Sequence, residues 1–466
     1  MLSQRDVERI NEESLRVLWE TGVAVDDDGI VALLGEHGCK IDAGRRIVRF
    51  PRDVVAKAVE RSPSEVKLAS LSGEETVLSP GGPTVIWTGN AINLVGPDGV
   101  RPMDTKLYAG LAHVVDGLEH VHGMVGTSLA DVPPPVRGLV GFRLIAENCL
   151  KHIRPVIFDP RETTGMVEMA QVLLDGKPLA ENPIFSLGYT AVSPLRWTDL
   201  ALNAFRESSG HRIPMMVNSE PAGGVTAPAT LAGELVLANA EALSGVVICQ
   251  ALEPGRPLIF NLGFAHVMDM ATSVMRTGSV ENSLLQSAGA RIAQFHKLPS
   301  ASWMSTESCL PDAGAGYEYM QTGLMHVLDG VNVIWGVGNL ESTKCMSSEM
   351  AVIGNDIAGA ILRAKEGIRV DDETLATELI LEMGRRPEYL VQPHTLEHFR
   401  REYYFPHVTN RRSRSAWEAA GKPNIAADAA ARVRELAARP VRSPVAPAVR
   451  EKLLKIEQKW RGALVK

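Results

Sequence analysis

Residues 299–356 read PSASWMSTESCLPDAGAGYEYMQTGLMHVLDGVNVIWGVGNLESTKCMSSEMAVIGND, and this stretch decides the fold of the chain. Residues 300–304 and 331–335 are short apolar runs with the length and the β-branched or aromatic content of strands. Residues 317–328 between them have helical spacing. The stretch therefore predicts one strand-helix-strand unit. Polar and aromatic residues follow both strands, which is where α/β barrels carry their catalytic groups.

The same alternation of helices and short strands continues upstream to about residue 103. Five of the predicted strands open on a proline, a position where its missing N–H need not interrupt a ladder: 155–158, 183–189, 214–219, 257–263 and 299–304. With residues 122–128 and 331–335 the count is seven. Residues 389–392 and the segment from Val85 are both candidates for the eighth. We predict an α/β protein with a TIM-type (β/α)8 barrel and helical additions at both ends.

Three sections are expected along the chain. Residues 1–102 form an N-terminal helical section, in which the segment from Val85 is a β-hairpin that covers the barrel. Residues 103–395 form the barrel. Residues 396–466 are a C-terminal helical extension that wraps the barrel or mediates oligomers, and we expect a homo-oligomer.

Composition limits the classes of function. A net charge of -7 over 466 residues, with no basic stripe carrying interleaved aromatics, predicts no binding of nucleic acid or of an anionic membrane. The cluster Arg411, Arg412 and Arg414 is typical of a solvated face. No apolar run has the length of a membrane span. The 5 widely spaced cysteines favour a reducing compartment, so we predict a cytoplasmic protein.

Polar side chains at the predicted strand ends are the first candidates for chemistry. They are Ser128, Asp159, Tyr189, Asn218, Glu220, Asn261, Thr306, Glu307 and Glu341. Single residues of this kind are often turn or cap residues. Barrel enzymes, however, draw on several strand ends at once. Glu220, Glu307 and Glu341 could place negative charge near a bound cation, or could hold loops through backbone hydrogen bonds.

Aromatic residues make up only 5% of the chain, so their placement is informative. Trp87, Tyr189, Trp303 and Trp335 all lie near predicted strand ends or in the predicted hairpin. Aromatic faces recognise quaternary ammonium ions. The alternative, that the tryptophans are core residues, stays open.

Metal chemistry has little support in the pattern. His113, His120 and His122 are close in sequence, but no Cys-x-Cys or close Cys/His pairing accompanies them. Cys309 and Cys345 lie on neighbouring strand-end loops and are the best zinc candidates. We predict no metal site.

The run Gly338-Asn-Leu-Glu-Ser-Thr-Lys-Cys-Met-Ser-Ser-Glu349, continued by Gly354-Asn-Asp356, resembles the active-site segment of the trimethylamine methyltransferase family. Founding members of that family carry pyrrolysine one position after a cysteine, and Met346 occupies that position here. The chain is thus similar to the branch that lacks pyrrolysine, whose members demethylate quaternary amines such as glycine betaine.

The resemblance implies a methyltransferase that passes a methyl group from a quaternary amine to a corrinoid. This cobalamin-type cofactor is carried by a partner protein or supplied free. Met346 is the catalytic position that the resemblance implies, and Glu220 and Glu307 are predicted catalytic residues from their strand-end positions. The predicted substrate-binding residues are Trp87, Tyr189, Asn218, Asn261, Trp303, His326, Trp335 and Glu341. A betaine carboxylate would need a donor, for which His326, His266, Asn218, Asn261 and Lys344 are candidates. A zinc-dependent methyltransferase of another barrel family and a non-catalytic binding barrel remain alternatives.

Overall fold

The architecture was derived from a computed structural model, which describes residues 2–42, 44–96, 99–264, 266–443 and 445–465. Eight short parallel strands, β1 to β8, form its centre. In chain order they are Val85–Thr88, Gly123–Val125, His152–Arg154, Leu187–Ala191, Met215–Ser219, Leu258–Asn261, Ala301–Trp303 and Val333–Val337. The chain is an α/β protein, as predicted.

The eight strands lie in two sheets. One has the order β3-β2-β1-β8-β7 and the other has the order β4-β5-β6. One parallel bridge, Ile153 to Phe185, joins the sheets where β3 lies beside β4. A second, Phe260 to Ser300, joins them where β6 lies beside β7. Prolines before the strands act as acceptors only: Met215 N donates to Pro257 O (3.0 Å), and Phe260 N donates to Pro299 O (2.8 Å).

A helix follows each central strand. In the order of the strands these helices are Thr105–Asp116, Arg137–Asn148, Glu162–Leu173, Asp199–Glu207, Leu231–Leu252, Val280–Phe295, Ala313–Leu328 and Ser348–Glu366. Leu231–Leu252 is apolar and long enough to cross a membrane, but 78% of its most apolar window is buried inside the protein. Burial on all sides explains its composition, because a helix that is apolar all round belongs in a core.

The remaining helices lie at the two ends of the chain. They are Gln4–Glu20, Asp28–Glu36 and Arg52–Arg61 before the central strands, and Asp372–Leu375, Thr377–Met383, Pro393–Glu402, Arg414–Ala419, Ile425–Ala437 and Pro447–Leu464 after them. The last helix packs on Glu162–Leu173, where Trp460 Nε1 donates to Glu168 Oε2 at 3.2 Å. Ile425–Ala437 packs on Ser348–Glu366. The tail therefore lies against the outer helices of the central unit.

Short outer strands complete the chain. They are Val23–Val25, Lys40–Asp42, Ile47–Arg49, Val66–Ala69, Glu75–Leu78, Asn93–Gly96, Gly99–Pro102, Arg196–Trp197, Ala222–Gly223, His266–Asp269, Val274–Met275, Asn339–Leu340 and Cys345–Ser347.

Two hydrophobic clusters occupy the two faces of the central strands. The inner cluster contains Val85, Trp87, Met216, Trp303 and Trp335, together with Val66, Leu68 and Leu78 from the hairpin of residues 66–78. The larger cluster lies between the strands and the helices. Successive side chains of a strand point to opposite faces, so a strand with both faces buried supplies both clusters.

The prediction that the segment from Val85 covers the barrel as a hairpin is wrong for its first part. Val85–Thr88 is strand β1, paired in parallel with β8 and β2, and a boundary at residue 102 would separate it from its partners. Its apolar Val-Ile-Trp core suits a strand buried on both faces. The second part does form a hairpin, Asn93–Gly96 with Gly99–Pro102, which pairs with Cys345–Ser347.

Two other strand predictions needed correction. Residues 389–391 form a 3-10 helix, so this candidate for the eighth strand fails. The strand predicted at residues 155–158 lies instead at His152–Arg154, before the proline. A histidine and an arginine flanking one isoleucine do not look like a buried strand, which is why sequence periodicity placed it too late.

Candidate active site at the carboxyl ends of the strands

A cavity of about 530 Å³ opens at the carboxyl-terminal ends of the central strands. Four aromatic side chains form its wall: Tyr189 from β4, Trp303 from β7, Trp335 from β8 and Phe264 from the loop after β6. The Trp303 and Trp335 ring centroids lie 5.6 Å apart, and Phe264 lies 5.1 Å from Trp303 and 5.7 Å from Trp335. The tryptophans thus belong to the inner core and to the cavity wall at once.

A β-bulge helps to position Trp335. The register between β8 and β1 shifts between Ile334 and Val337, and Gly336 between them has φ 116°. A Cβ at Gly336 would lie 1.8 Å from the Met304 carbonyl oxygen. Only glycine fits this backbone, and bulges of this kind redirect neighbouring side chains.

Polar groups occupy the other walls. Asn218 Nδ2 donates to Thr190 Oγ1 at 3.3 Å, and Asn218 Oδ1 accepts from Asn261 Nδ2 at 2.8 Å. Glu220 stands at the rim with 49% of its side chain exposed, and its Oε1 lies 3.7 Å from His266 Nε2. Tyr189 is held by its hydroxyl, which donates to Ile157 O at 2.8 Å.

The turn of residues 341–343 lies over one side of the cavity, which Ser342 and Thr343 line. Glu341, Ser342 and Thr343 have φ values of 52°, 49° and 74°. Three consecutive non-glycine residues with positive φ are strained, most of all the β-branched threonine. Ser342 N donates to Thr306 O at 2.9 Å and Ser342 Oγ donates to Met275 O at 2.8 Å, and these bonds hold the turn.

Five of the residues nominated from sequence line this cavity: Tyr189, Asn218, Glu220, Trp303 and Trp335. His266, which was nominated only as a carboxylate donor, also lines it. The structure brings these residues together from four central strands, one outer strand and one loop.

Trp87, by contrast, does not line the cavity. It is fully buried behind Trp335, with ring centroids 5.5 Å apart, and stacks on His152 at 5.3 Å. It lines a second cavity, of about 710 Å³, together with His122, Lys151 and His152. The reason is strand register, because Trp87 pairs with Gly123, the first residue of β2, and so lies level with the start of that strand.

Asn261 and His326 are also internal. Asn261 supports Asn218 from below, and its Oδ1 accepts from Gly263 N at 2.7 Å. His326 lies on the helix Ala313–Leu328, and its Nδ1 lies 3.0 Å from Ser302 Oγ. Ser302 is on the outer face of β7, so this histidine belongs to the layer between strand and helix. Burial lowers the pKa of His326 to about 3.

Two of the nominated glutamates and Lys344 lie off the cavity wall. Glu307 Oε1 accepts from Gly278 N at 2.6 Å and Thr277 Oγ1 at 3.1 Å, and burial raises the pKa of its carboxyl group. Glu307 thus holds a loop, the alternative foreseen for it. Glu341 lies in the strained turn near Cys345, and Lys344 is exposed.

Met346 is buried and does not line the cavity. Its strand, Cys345–Ser347, pairs with Asn93–Gly96 and Asn339–Leu340, and the Met346 methyl group packs near Gly338. The prediction that this side chain takes part in catalysis is therefore not supported by its position. Strand alternation turns Cys345 and Met346 to opposite sides.

Among the aromatic and charged residues that line the cavity, sequence reasoning missed two. Phe264 could have been found, since it follows the predicted strand of residues 257–263. Arg154 was missed because the strand was predicted to start at Pro155 rather than end before it. Arg154 is the last residue of β3 and is 6% exposed.

Among the described residues, no group of three or more potential metal ligands meets at this cavity. In the ranges that the structure describes, the one close group of ligand type is Glu373, Glu397 and His398, in the C-terminal helices. Cys309 is exposed while Cys345 is buried. Burial raises the pKa of the Cys345 thiol to about 11, which disfavours the thiolate that zinc requires.

The chain is similar to known proteins along most of its length. Residues 1–461 match the family model described as trimethylamine methyltransferase (MTTB). A trimethylamine methyltransferase MttB of Desulfitobacterium hafniense (strain DSM 10664 / DCB-2) is 28% identical over 428 residues, which cover 90% of this chain and 85% of that protein. A glycine betaine methyltransferase of D. hafniense (strain Y51) is 29% identical over 424 residues, covering 90% of this chain and 88% of that protein.

Among solved structures, the monomethylamine methyltransferase MtmB of Methanosarcina barkeri superposes with a TM-score of 0.56 at 11% sequence identity. The match covers 98% of this chain and 86% of that one. At this identity the likeness concerns the fold alone.

Proposed function

The chain belongs to the trimethylamine methyltransferase family, and from this premise we propose that it moves a methyl group from a quaternary amine, glycine betaine or a related betaine, to a corrinoid protein. It is a methyltransferase like its relatives. The observation that carries the substrate proposal is the aromatic wall of the cavity, formed by Tyr189, Phe264, Trp303 and Trp335.

An aromatic wall suits a quaternary ammonium ion. Such an ion cannot donate a hydrogen bond, so it is recognised by the negative faces of aromatic rings, each contributing roughly 0.5 to 2 kcal/mol. The Trp303, Trp335 and Phe264 rings lie within 5.1 to 5.7 Å of one another, and together they offer a shaped apolar surface. Glu220 at the rim adds a carboxylate on the side open to solvent.

The chemistry of the leaving group favours a quaternary rather than a tertiary amine as the substrate. When a quaternary ammonium loses a methyl group, the leaving group is a neutral tertiary amine, so no acid is needed. A neutral tertiary amine would need activation before it could lose methyl. Met346, which stands at the family's pyrrolysine position, is buried outside the cavity wall. The proposed role of the chain is to hold and desolvate the ammonium, with a methyl group facing the opening.

The opening of the cavity supports docking of a protein that carries the corrinoid. The large exposed apolar side chains in the segments that follow the central strands include Ile92, Val192, Val225, Met270, Val274 and Leu310. An apolar rim of this kind marks an interaction surface. The corrinoid would supply a Co(I) nucleophile for the methyl group, whereas this chain supplies binding and orientation.

We also propose that the two central sheets close into a (β/α)8 barrel. The bridge across the gap between β3 and β4 consists of two backbone hydrogen bonds: Ile153 N donates to Ile184 O (3.0 Å) and Ser186 N donates to Ile153 O (3.1 Å). Phe260 N donates to Pro299 O (2.8 Å) across the gap between β6 and β7. The separate inner and outer hydrophobic clusters are those of a packed barrel.

Cytoplasmic location and a homo-oligomeric state remain part of the proposal. The five cysteines of the chain are all free, which suits a reducing compartment. Light scattering on the purified protein would measure the oligomeric state directly.

The reaction is tested by mixing the protein with cob(I)alamin and separately with glycine betaine, other betaines, choline, tetramethylammonium and trimethylamine. Loss of the Co(I) absorbance with a quaternary amine, and not with trimethylamine, is the expected result. The Trp303→Leu variant should lose most of this activity. The matched control is Trp87→Phe, whose ring lines the other cavity, and it should keep it.

Two outcomes would contradict the proposal. Turnover of trimethylamine alone would overturn the quaternary substrate. Tight binding of betaines with no transfer to cob(I)alamin or to any supplied corrinoid protein would indicate a binding protein that has lost the chemistry.

A further inference from the structure

A buried arginine lies in the aromatic cavity. Arg154, at the end of β3, is 6% exposed and contributes to the cavity wall. Its Nη2 donates to Gly188 O at 2.8 Å and its Nη1 donates to Pro155 O. Gly188 makes room for it, since a Cβ there would lie 2.8 Å from Arg154 Nη2. The guanidinium is thus held in place by backbone carbonyls.

In the part of the chain that the structure describes, no carboxylate neutralises this charge. Within the described ranges, no Asp or Glu oxygen lies within 4.0 Å of Arg154, and its Nε has no hydrogen-bond partner. The charged or titratable groups of the cavity wall are Tyr189, His266 and Glu220, and Glu220 pairs with His266 at the rim. Burial lowers the pKa of Arg154 to about 10, so it stays protonated at neutral pH.

An unpaired buried cation is costly, and proteins keep one where a ligand supplies the missing anion. The same charge repels an ammonium ion that carries no anion of its own. A guanidinium has five N–H donors, of which Arg154 commits two to carbonyl groups, so donors remain for a carboxylate.

Building on the proposed function, we infer that Arg154 binds the carboxylate of the substrate, and that the substrate is a zwitterion whose carboxylate lies close to its quaternary nitrogen. The carboxylate neutralises Arg154, while the ammonium contacts the aromatic wall. Arg154 is a specificity-determining residue: it admits betaines and rejects simple ammonium ions. Of the earlier candidates, His326 is outside the cavity, Lys344 is exposed, and Asn218 is bonded to Thr190 and Asn261. His266 lines the cavity, but its Nδ1 lies 3.0 Å from Asn282 Nδ2 and its Nε2 faces Glu220.

Calorimetry with three ligands of similar shape separates the two ends of the substrate. Glycine betaine carries both charges, choline carries the ammonium with an alcohol, and 3,3-dimethylbutanoate carries the carboxylate with a neutral tert-butyl group. The wild-type protein should bind glycine betaine most tightly. In Arg154→Gln, the affinities for glycine betaine and for 3,3-dimethylbutanoate should fall by about 30-fold or more. The affinity of this variant for choline should stay unchanged or rise, because no guanidinium repels the ammonium ion.

Arg154→Lys keeps the charge but loses the planar fork, so both carboxylate ligands should bind with intermediate affinity and choline should not change. This variant also serves if Arg154→Gln does not fold, as judged by its thermal midpoint. Equal weakening of all three ligands in the variants would assign Arg154 a structural role and overturn the inference. Unchanged affinity for glycine betaine would overturn it as well.

The methyl-transfer assay separates this inference from the proposed function. If the wild-type protein transfers methyl from glycine betaine and Arg154→Gln shows an unchanged KM, the function holds and the role of Arg154 is wrong. If no transfer occurs, but 3,3-dimethylbutanoate binds in an Arg154-dependent manner, the carboxylate site holds and the reaction is wrong.

Discussion

The guanidinium carbon of Arg154 lies 5.3 Å from the centre of the Trp335 ring, so the unpaired cation of the cavity is stacked on its aromatic wall. Trp335 therefore has two tasks. It presents an aromatic surface to the ligand, and it holds Arg154 in place.

This relationship separates Trp335 from Tyr189 in binding experiments. Tyr189→Ala should weaken the binding of glycine betaine by about 1 kcal/mol, roughly fivefold in Kd, because one aromatic face is lost. Trp335→Leu should weaken this binding further, because Arg154 also loses the ring on which it stacks. Tyr189→Phe keeps the ring and is the matched control. Calorimetric affinities that stay unchanged in both variants would remove these residues from the binding site.

Met346 tests the role that the family resemblance implies for its position. Its side chain is buried near Gly338, so Met346→Leu conserves volume and should cost less than about 1.5 kcal/mol of stability. Initial rates of methyl transfer should stay within about twofold of wild type. If Met346→Leu lost methyl transfer while its thermal midpoint stayed unchanged, Met346 would have a role in the reaction.

Gly336 is expected to tolerate no side chain. Gly336→Ala would place a methyl group 1.8 Å from the Met304 carbonyl oxygen at a φ of 116°. Because the contact is with backbone, the bulge must rearrange and Trp335 must move, and we expect a loss of about 3 kcal/mol or more, or failure to fold. The control is Gly316→Ala, a helical glycine whose added Cβ meets nothing within 4 Å. Equal urea midpoints for the two variants would contradict the bulge.

Buried histidines should make the protein sensitive to acid. Burial lowers the pKa of His122, His152 and His296 to about 4, and that of His326 to about 3. In the unfolded chain the pKa of each histidine is near 6.5. Between about pH 4 and pH 6.5, the unfolded chain therefore binds protons that the native protein does not. Stability is therefore retained above pH 6.5 and lost as the pH falls toward 4. Each histidine contributes at most about 1.4 kcal/mol per pH unit.

A buried carboxyl group should act in the opposite direction. Burial raises the pKa of Glu234 to about 8, against a smaller lowering by the backbone N–H of His266. The native state keeps this proton while the unfolded chain releases it above about pH 4.5, so stability falls as the pH rises toward 8. Glu234→Gln should therefore gain stability over wild type progressively from pH 5 to 8. Parallel curves of urea midpoint against pH would contradict this assignment.

Thiol chemistry offers an independent check of the packing. Cys309 is exposed, whereas Cys39, Cys149, Cys249 and Cys345 are buried. Burial raises the pKa of the Cys39, Cys149 and Cys249 thiols to about 12 and that of Cys345 to about 11. One thiol should react rapidly with a disulfide reagent in the native protein and the others only after unfolding. Cys309→Ser should abolish the rapid phase.

Much of the fold followed from local pattern. The helix predicted at residues 317–328 lies within Ala313–Leu328 and ends at the same residue, and the prolines mark four of the five strands they precede. Such features depend on neighbouring residues, and the spacing of apolar side chains records them. The exception is β3, whose sequence His152-Ile153-Arg154 is polar because its side chains serve sites inside the protein.

The candidate site was only partly open to prediction. Strand-end position correctly brought Tyr189, Asn218, Trp303 and Trp335 to one cavity, because parallel strands present their carboxyl ends at one edge. It could not tell that Trp87 faces the other cavity, or that His326 and Met346 turn into the outer layer. Those outcomes depend on strand register and alternation, which a shift of one residue reverses.

By itself, the sequence determined the class of the fold, the order of its helices and strands, the family resemblance and the aromatic character of the site. Only the tertiary structure decided which strand is the eighth, which aromatic rings meet, and that Arg154 stands unpaired beside Trp335. The reason is physical: apolar spacing and turn residues act over a few positions. The charge balance of a cavity depends on side chains from strands far apart in the chain, which only packing brings into contact.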